Sequence, residues 1–267
     1  MPLEYKILIT GGNGYIAKSL HRNLSGTHDV TSITRSNFDL TNYNKTCEWF
    51  SDKIYDVVIH TAISGGSRLE LDEHSVFDQN MAMFNNLVAN KHCFSKLISF
   101  GSGAELFYGD TPYANSKREI AKFIQTAETF YNLRIFGLFD ENELSTRFIK
   151  SNILRYINKE PIIIHANKIM DFFYMKDLIS LVNYYIENTN LPKEINCSYQ
   201  KKNTLLNVAN IINKLDSYTV PVVLFTQDTG NDYFGRVSEN LIPSIGTEVG
   251  IIETYNKLCI NNNGDIL

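Results

Sequence analysis

Tyr113 and Lys117 stand four residues apart, a spacing that allows the two side chains to transfer a proton together. Thr111 and Pro112 precede them and are typical of the cap and the first turn of a helix. On such a helix, residues four apart share one face. A tyrosine hydroxyl titrates at about pH 10 in water. A neighbouring ammonium group favours the phenolate and lowers that pKa, so the spacing predicts a phenol that acts as an acid–base group near neutral pH.

Ser102 is a second candidate for the same chemistry. The apolar run 96–100 predicts a strand, and Ser102 follows it immediately after a glycine. In open α/β sheets, side chains at the ends of strands reach the binding cleft. We therefore expect the Ser102 hydroxyl to bond a substrate carbonyl beside Tyr113. Ser99 lies inside the strand, and an ordinary turn serine remains the alternative for Ser102.

A glycine-rich loop lies between the first apolar run and the first predicted helix, with the sequence TGGNGYIA over residues 10–17. Gly11 permits a tight turn, and Gly14 lets the backbone approach a pyrophosphate. The amides at the start of the helix, at Tyr15 and Ile16, would face the phosphates. An ordinary strand–helix turn is the alternative. The loop fits one strand–helix–strand unit of roughly 30 residues, which favours dinucleotide binding.

The second predicted strand, residues 30–34, indicates which dinucleotide is bound. Sites specific for NAD usually place an acidic residue after this strand to hold the ribose 2′-hydroxyl. This chain has Arg35 there, which can pair with a 2′-phosphate. We therefore expect NADPH, with NAD the less favoured cofactor, although a solvated arginine would look the same. Asp39 and Leu40 follow at a distance suited to contacts with the adenine.

Predicted strands and helices alternate along the chain, and this alternation indicates the fold. Strands over 6–10, 30–34, 56–60, 96–100 and 133–138 alternate with helical patterns. This order predicts an α/β protein with a doubly wound parallel Rossmann sheet. We assign residues 1–140, with a returning segment near 173–200, to an NADP-binding Rossmann domain. Residues 141–172 and 201–267 are expected to form a small C-terminal substrate-binding lobe.

Composition excludes several classes of function. The net charge of -4 gives no sign of a basic nucleic-acid surface, so we expect no nucleic-acid partner. No apolar run is long enough to span a bilayer, and residues 1–6 lack the layout of a signal peptide. The four cysteines are far apart and form no CxxC pair. We therefore expect a cytoplasmic protein with free thiols and no metal site.

These motifs together resemble the extended short-chain dehydrogenases, the NAD-dependent epimerase/dehydratase family. Among them, the chain is most similar to sugar-nucleotide reductases of the GDP-L-fucose synthase type. The run TAISGG at 61–66, the run QNM at 79–81 and Gly101-Ser102 add to the likeness. The resemblance implies a reducing triad and a set of cofactor and substrate contacts. The triad is Ser102, Tyr113 and Lys117. The cofactor contacts are Gly11, Gly14, Tyr15 and Ile16 of the glycine-rich loop, together with Arg35, Asp39, Leu40, Ala62, Tyr113 and Lys117. The substrate contacts include Ser64 and Gly103.

Departures from the family pattern narrow the reaction. Members that also epimerise use a cysteine and a histidine at positions that match Ala104 and Arg147 here. Dehydratases of the family need an Asp-Glu pair after the catalytic hydroxyl. This chain has Gly103 and Ala104 there, and Glu105 stands one place late. Epimerisation at C3 and C5 and dehydration are therefore both disfavoured.

The predicted substrate-binding lobe also departs from the family pattern. The usual Arg-Asp-Phe motif is Met170-Asp171-Phe172 in this chain, so an arginine that often binds the nucleotide diphosphate is missing. Arg147 or Arg236 can replace it. An ordinary surface position is an equal alternative for both.

The sequence thus predicts NADPH-dependent reduction of the keto group, at C4, of a nucleotide-linked 4-keto-6-deoxy sugar, without C3/C5 epimerisation. A nucleotide-sugar 4-epimerase that retains NAD is the alternative, and Arg35 argues against it. A non-catalytic NADP-binding sensor or partner protein is the alternative of another class, and the Tyr113–Lys117 pair argues against it. A reductase of an unrelated small carbonyl compound also remains open. By resemblance we expect a homodimer formed through residues 77–90 and 112–127.

Overall fold

The computed structural model describes residues 4–67, 70–226, 229–237 and 239–264. The chain divides into two compact units. The first comprises Met1–Arg134 and Leu181–Ile195, and the second comprises Ile135–Ser180 and Asn196–Leu267. The first unit is therefore discontinuous in sequence, and the chain returns to it through one segment.

A six-stranded parallel sheet flanked by helices confirms the predicted α/β class. Its strands are β1 (Lys6–Thr10), β2 (Asp29–Ile33), β3 (Tyr55–His60), β4 (Phe94–Ser102), β5 (Phe130–Ile135) and β9 (Glu194–Cys197). Their order across the sheet is β2-β1-β3-β4-β5-β9. Ile7 of β1 pairs with Val30 of β2 on one side and with Val57 of β3 on the other. The strand order therefore reverses at β1 and β3, which is where doubly wound sheets bind ligands.

Helices connect these strands in the manner of a doubly wound fold. They are α1 (Tyr15–Leu24), α2 (Tyr43–Phe50), α3 (Ser75–Ala89), the short α4 (Ala104–Phe107), α5 (Pro112–Thr126) and, later in the chain, α7 (Met175–Glu187). A 3-10 turn at Lys91–Cys93 leads from α3 into β4. Leu8, Val58 and Leu97 from three neighbouring strands pack with Phe84 of α3 and Ile120 of α5 in one apolar core.

The far edge of the sheet is closed by the returning segment. The Asn132 amide in β5 donates to the Lys193 carbonyl at 2.8 Å, just before β9. Lys96 of β4 is buried, and its Nζ donates to the carbonyls of Tyr185, Ile186 and Asn188 at the end of α7. Carbonyls at a helix C-terminus have no partner within the helix, so a buried ammonium there satisfies them and is favoured by the helix dipole.

The second unit has its own core and two small parallel sheets. Its further elements are β6 (Leu138–Phe139) paired with β8 (Phe173–Tyr174), β7 (Ile162–Ala166) paired with β10 (Val222–Thr226), α6 (Phe148–Ile157), α8 (Leu205–Ile212) and α9 (Gly246–Gly264). Ile153 and Tyr156 of α6 pack with Ala209 of α8 and Ile251 of α9. The ring of Tyr156 stacks on that of Tyr218 with centroids 4.6 Å apart.

One predicted strand is divided in the structure. The sequence pattern predicted a strand over 133–138, whereas β5 ends at Ile135 and β6 begins at Leu138 in a different sheet. Gly137 lies at the break, and a Cβ there would stand 2.6 Å from the Asp171 carbonyl oxygen. Close backbone approach at this glycine ends the first strand, a feature that apolar periodicity alone does not reveal.

Candidate functional site

The loops that follow β1 and β3 touch at the point where the strand order reverses. Gly11 has a φ of +70°, and a Cβ on it would lie 2.7 Å from the Ala62 Cα. Only glycine tolerates both this conformation and this approach. The structure therefore brings together Gly11 and Ala62, two residues that the sequence predicted to contact the cofactor.

The glycine loop leaves the start of α1 clear of side-chain caps. Gly14 occupies the N-cap position, and no described side chain caps the helix there. The Gly14 amide donates to the Gly11 carbonyl at 2.8 Å, so the loop is closed by its own backbone. Tyr15 and Ile16 form the first turn of α1. A helix start that lies at the switch point and is approached by bare backbone fits the pyrophosphate of a dinucleotide.

Arg35 and Asp39 lie beyond the end of β2 and are both exposed. The Asp39 carboxylate accepts hydrogen bonds of 2.9 Å from the amide and from the hydroxyl of Thr41. These bonds lower the pKa of Asp39, and the nearby Arg35 charge contributes in the same direction. Leu40 is buried, and its carbonyl accepts from Asn86 Nδ2 at 2.9 Å. The turn is thus fixed by its own contacts, and Arg35 presents a guanidinium at the surface.

Ser102 is the last residue of β4, whereas Ser99 is buried inside that strand. The Ser102 Oγ accepts a hydrogen bond of 3.2 Å from the Ala104 amide. Gly103 is the N-cap of α4 and has φ -54°. The structure therefore places the predicted serine, and not its competitor, at the carboxyl end of the strand.

Tyr113 and Lys117 share one face of α5, as predicted from their spacing. The Thr111 side chain accepts from the Ala114 amide and caps the helix. Lys117 Nζ lies 5.8 Å from the centroid of the Tyr113 ring and donates to the Phe100 carbonyl at 2.6 Å. Burial lowers the pKa of Lys117 to about 8. At neutral pH Lys117 is therefore mostly an ammonium group, held beside the phenol at the end of β4.

Asn80 of α3 fixes the loop after β3 beneath the tyrosine. Its Oδ1 accepts from the Ser64 amide at 2.8 Å, and its Nδ2 donates at 3.0 Å to the Ser64 carbonyl and to Ser116 Oγ. A Cβ on Gly66 would lie 2.7–2.9 Å from three atoms of the Tyr113 ring. The Asn80 side chain thus fixes the backbone of the loop at Ser64. The absence of a side chain at Gly66 leaves space for the Tyr113 ring.

Thr10 and His60, which the sequence analysis did not single out, join the ends of β1 and β3. Thr10 Oγ1 lies 2.9 Å from His60 Nδ1 and accepts from the Ala62 amide at 3.2 Å. Burial lowers the pKa of His60 to about 3, and the charge of Lys117 acts in the same direction. His60 is therefore neutral, and with Thr10 it positions Ala62 against the glycine loop.

A buried ion pair below the Ser102 turn was also missed from sequence. Glu105 Oε2 lies 2.7 Å from Arg134 Nη2, and the same guanidinium contacts Glu194 Oε2 at 2.7 Å. The Glu105 and Arg134 side chains are almost fully buried. The three residues come from α4, β5 and β9, so only the folded sheet brings them together.

Arg147 and Arg236 belong to the second unit and are both exposed. Arg147 is the N-cap residue of α6. Gly235, just before Arg236, donates its amide to Asp171 Oδ2 at 2.8 Å, and its carbonyl accepts from Lys202 Nζ at 2.7 Å. The hydrogen bonds of Gly235 thus fix the backbone next to Arg236, and the Arg236 guanidinium lies at the surface.

Two features are absent from the described part of the chain, a metal-binding cluster and a membrane-spanning helix. There, no group of three or more histidine, cysteine or acidic side chains is arranged to hold a metal ion. No helix in the same residues has the length and apolar character needed to cross a membrane.

Comparison with known proteins gives a family and a fold. The model of the NAD dependent epimerase/dehydratase family matches residues 7–198. No curated protein matches the chain at a significant level.

Several solved structures share the fold at low sequence identity. A GDP-mannoheptose C4 reductase from Campylobacter jejuni with NADP bound has 19% identity, a TM-score of 0.80, and coverage of 97% of this chain and 99% of that chain. A GDP-L-fucose synthetase from Naegleria fowleri bound to NADP has 17% identity, a TM-score of 0.76 and coverage of 96% and 93%. A UDP-N-acetylglucosamine 4-epimerase from Bacillus cereus has 19% identity, a TM-score of 0.77 and coverage of 96% and 99%.

Proposed function

Because the chain belongs to the NAD dependent epimerase/dehydratase family, we propose that it uses NADPH to reduce the keto group, at C4, of a nucleotide-linked 4-keto-6-deoxy sugar. The observation that carries this proposal is the buried ammonium of Lys117 beside the Tyr113 ring, at the end of the strand that bears Ser102. These three side chains and the glycine loop lie in the same unit.

Each residue of the triad would have a separate role in the reduction. Bound NADPH would supply the hydride to the carbonyl carbon. Tyr113 donates its hydroxyl proton to the carbonyl oxygen as negative charge develops there, and the Lys117 ammonium favours the phenolate that remains. Ser102 Oγ holds the carbonyl oxygen by a hydrogen bond. Acid–base assistance of this kind is typically worth about 10²–10⁴-fold in rate.

The proposal excludes epimerisation at C3 and C5, because the chain lacks side chains that could move protons there. Ala104 carries only a methyl group and is buried. The guanidinium of Arg147 is too weak an acid to exchange protons with a carbon atom. We further propose that Arg147 and Arg236 bind the diphosphate of the substrate, because both present exposed guanidinium groups in the second unit.

The mechanism is tested with Tyr113→Phe. We expect this variant to bind NADPH with unchanged affinity and to lose at least about 10²-fold in reduction rate, since the proton donor is gone. Oxidation of NADPH is followed by absorbance with a panel of GDP-, dTDP-, UDP- and CDP-linked keto sugars. Full activity in the variant would refute the role of Tyr113. A protein that is purified with bound NAD and interconverts C4 epimers would instead be a 4-epimerase.

The cofactor preference is tested at Arg35. A charge-assisted hydrogen bond contributes about 1.5–3 kcal/mol, so Arg35→Ala should weaken NADPH binding by about 10–100-fold and leave NADH binding unchanged. Arg22, on α1, gives a matched Arg→Ala control on the surface of the same unit. Equal losses for both cofactors would argue against a contact between Arg35 and the 2′-phosphate.

We also propose that the protein is a homodimer formed through α3 and α5. The two helices pack against each other, with the rings of Phe84 and Phe123 in edge-to-face contact at 5.5 Å. Phe123 is 38% exposed, so part of this aromatic pair faces outward. Light scattering after size exclusion should give twice the chain mass, and Phe123→Glu should give the monomer. A wild-type protein that elutes as a monomer would refute this proposal.

A further inference from the structure

The Glu105 carboxylate lies directly below the turn that carries Ser102. Its Oε1 accepts the Ser102 amide at 2.8 Å. Its Oε2 accepts Arg134 Nε and contacts Nη2 of the same guanidinium, both at 2.7 Å. Both carboxylate oxygens are thus used, one by the serine backbone and one by a two-point ion pair. Charge-assisted hydrogen bonds of this geometry hold a side chain in one orientation.

The surrounding backbone is built to admit this carboxylate. A Cβ on Gly101 would overlap Glu105 Oε1 and would lie 2.5 Å from Asn132 Oδ1. Asn132 is 1% exposed and its Nδ2 stands 3.5 Å from Glu105 Oε2. The glycine before Ser102 therefore serves to let Glu105 and Asn132 reach the end of β4.

Glu105 also supplies the one attractive charge that acts on Lys117 among the described residues. The titratable groups that face Lys117 are Tyr113 on its own helix, His60 at the end of β3 and Glu105 on α4. His60 is buried and neutral. The negative charge of Glu105 raises the pKa of Lys117 and so opposes the effect of burial.

We propose that Glu105 is a positioning residue for the reduction: it fixes the Ser102 backbone through one oxygen, and it places a negative charge at the same end of β4 where the Lys117 ammonium binds the Phe100 carbonyl. This inference rests on the function proposed above. Arg134 holds the carboxylate in place, and Glu194 balances Arg134 from the edge strand β9. A glutamine at position 105 would still accept the Ser102 amide, so the charge and the hydrogen bond can be separated by experiment.

The charge is tested by direct titration of Lys117 in the protein without substrate or cofactor. Lysine is labelled with ¹³C at Cε, and the Lys117 resonance is assigned by its absence in Lys117→Arg. In Glu105→Gln we expect the midpoint of that titration to fall by about 0.5–1 pH unit, because an attractive neighbouring charge is lost. Glu194→Gln is the matched control, since it removes the other partner of Arg134 and leaves Glu105 intact; its Lys117 midpoint should not change.

Glu105→Gln leaves the Arg134 guanidinium short of one buried partner, which can destabilise the fold. The double variant Glu105→Gln/Arg134→Met removes both buried charges together and is measured alongside it. A downward shift in the double variant supports the proposal as well, and it is expected to be smaller because the positive charge of Arg134 is removed together with that of Glu105. A Lys117 midpoint that stays the same in both Glu105 variants, or that shifts equally in Glu194→Gln, would overturn it.

Kinetics add a readout that a purely structural role would not move. The alkaline limb of the pH profile of kcat/KM should move to lower pH in the Glu105 variants and not in Glu194→Gln. An equal loss of activity at every pH would assign Glu105 a structural role alone. If the wild-type protein reduces no sugar nucleotide, the proposed function fails, while the Lys117 titration still decides whether Glu105 controls that ammonium.

Discussion

Replacing Lys117 by methionine should make the folded protein more stable while it abolishes reduction. The ammonium group is buried at neutral pH, and it donates a hydrogen bond to the Phe100 carbonyl at 2.6 Å. A methionine of similar length can occupy the same space without a charge. The variant therefore separates the cost of burying the charge from the packing of the side chain.

The magnitude follows from the pKa of Lys117, which burial lowers from 10.5 to about 8. Each pH unit between the two values corresponds to about 1.4 kcal/mol, so the buried charge costs the folded state about 3 kcal/mol below pH 8. The lost hydrogen bond to Phe100 offsets about 1 kcal/mol of that gain. We expect a net stabilisation of about 2 kcal/mol at pH 7, equivalent to about 5 °C in Tm.

The pH dependence gives the sign of the effect. Because the folded-state pKa is lowered, the unfolded chain binds more protons than the folded one between pH 8 and pH 10.5. The cost of the buried ammonium is thus fully present below pH 8 and shrinks as the pH rises. The advantage of Lys117→Met should fall by about 1 kcal/mol between pH 7 and pH 9.

Thermal and urea unfolding at pH 7 and pH 9 measure this advantage. Lys122→Met is the matched control, because Lys122 lies on the same helix with 71% of its side chain exposed. Its stability should stay within about 0.5 kcal/mol of wild type at both pH values. A Lys117→Met protein that unfolds at or below the wild-type temperature at pH 7 would refute the reasoning, because the ammonium would then not be buried at a cost.

Two further predictions concern residues around the tyrosine and the sheet. Gly66 has φ +75° and lies against the Tyr113 ring. Gly66→Ala should therefore displace the tyrosine and lower kcat by about 10-fold or more, while NADPH binding is retained. Gly109→Ala is the control: a Cβ at Gly109 meets no atom within 4 Å, so the reduction rate should not change. Burial lowers the pKa of His60 from 6.5 to about 3, so the wild type should lose about 2 kcal/mol between pH 7 and pH 5 through this residue. Urea unfolding of His60→Gln should show a smaller loss, whereas the exposed His92→Gln should behave as wild type.

The parts of the site that could be predicted from sequence are those set by local geometry. Tyr113 and Lys117 meet because residues four apart share a helix face, and Thr111 fixes where that helix begins. The glycine loop was recognisable because strand, turn and helix follow one another within a short stretch. The predicted fold class and the family are confirmed, whereas the roles of the individual residues stay predictions.

The Glu105 network could not be predicted, because its members are far apart in the chain. Arg134 contacts Glu105, and Glu194 contacts Arg134, only because β4, β5 and β9 are neighbours in the sheet. One signal was present in the sequence: Arg134 interrupts an otherwise apolar strand pattern, and a charged residue inside a buried strand requires a partner. The partner itself depends on strand order, which local patterns do not specify.

Several elements also escaped the sequence analysis. β9 has four residues, which is too short for a convincing alternation, and its conformation is set by pairing with β5. α9 extends from Gly246 to Gly264, but its apolar residues do not gather on one face, so helical periodicity is weak. α2 begins at an Asn42 cap and buries only Thr46 and Phe50. Tertiary packing decides these segments more than local propensity does.

The discontinuity of the first unit has a consequence during synthesis. When the first 134 residues have emerged from the ribosome, Ser102, Tyr113 and Lys117 are all present. At that stage β5 is still an edge strand, and the α7 carbonyls that Lys96 binds have not yet been made. The segment Leu181–Ile195, which supplies both partners, emerges only after 46 further residues of the second unit. A nascent chain therefore carries an unpaired strand edge for that interval, and truncations that stop near residue 140 should aggregate rather than yield a minimal enzyme.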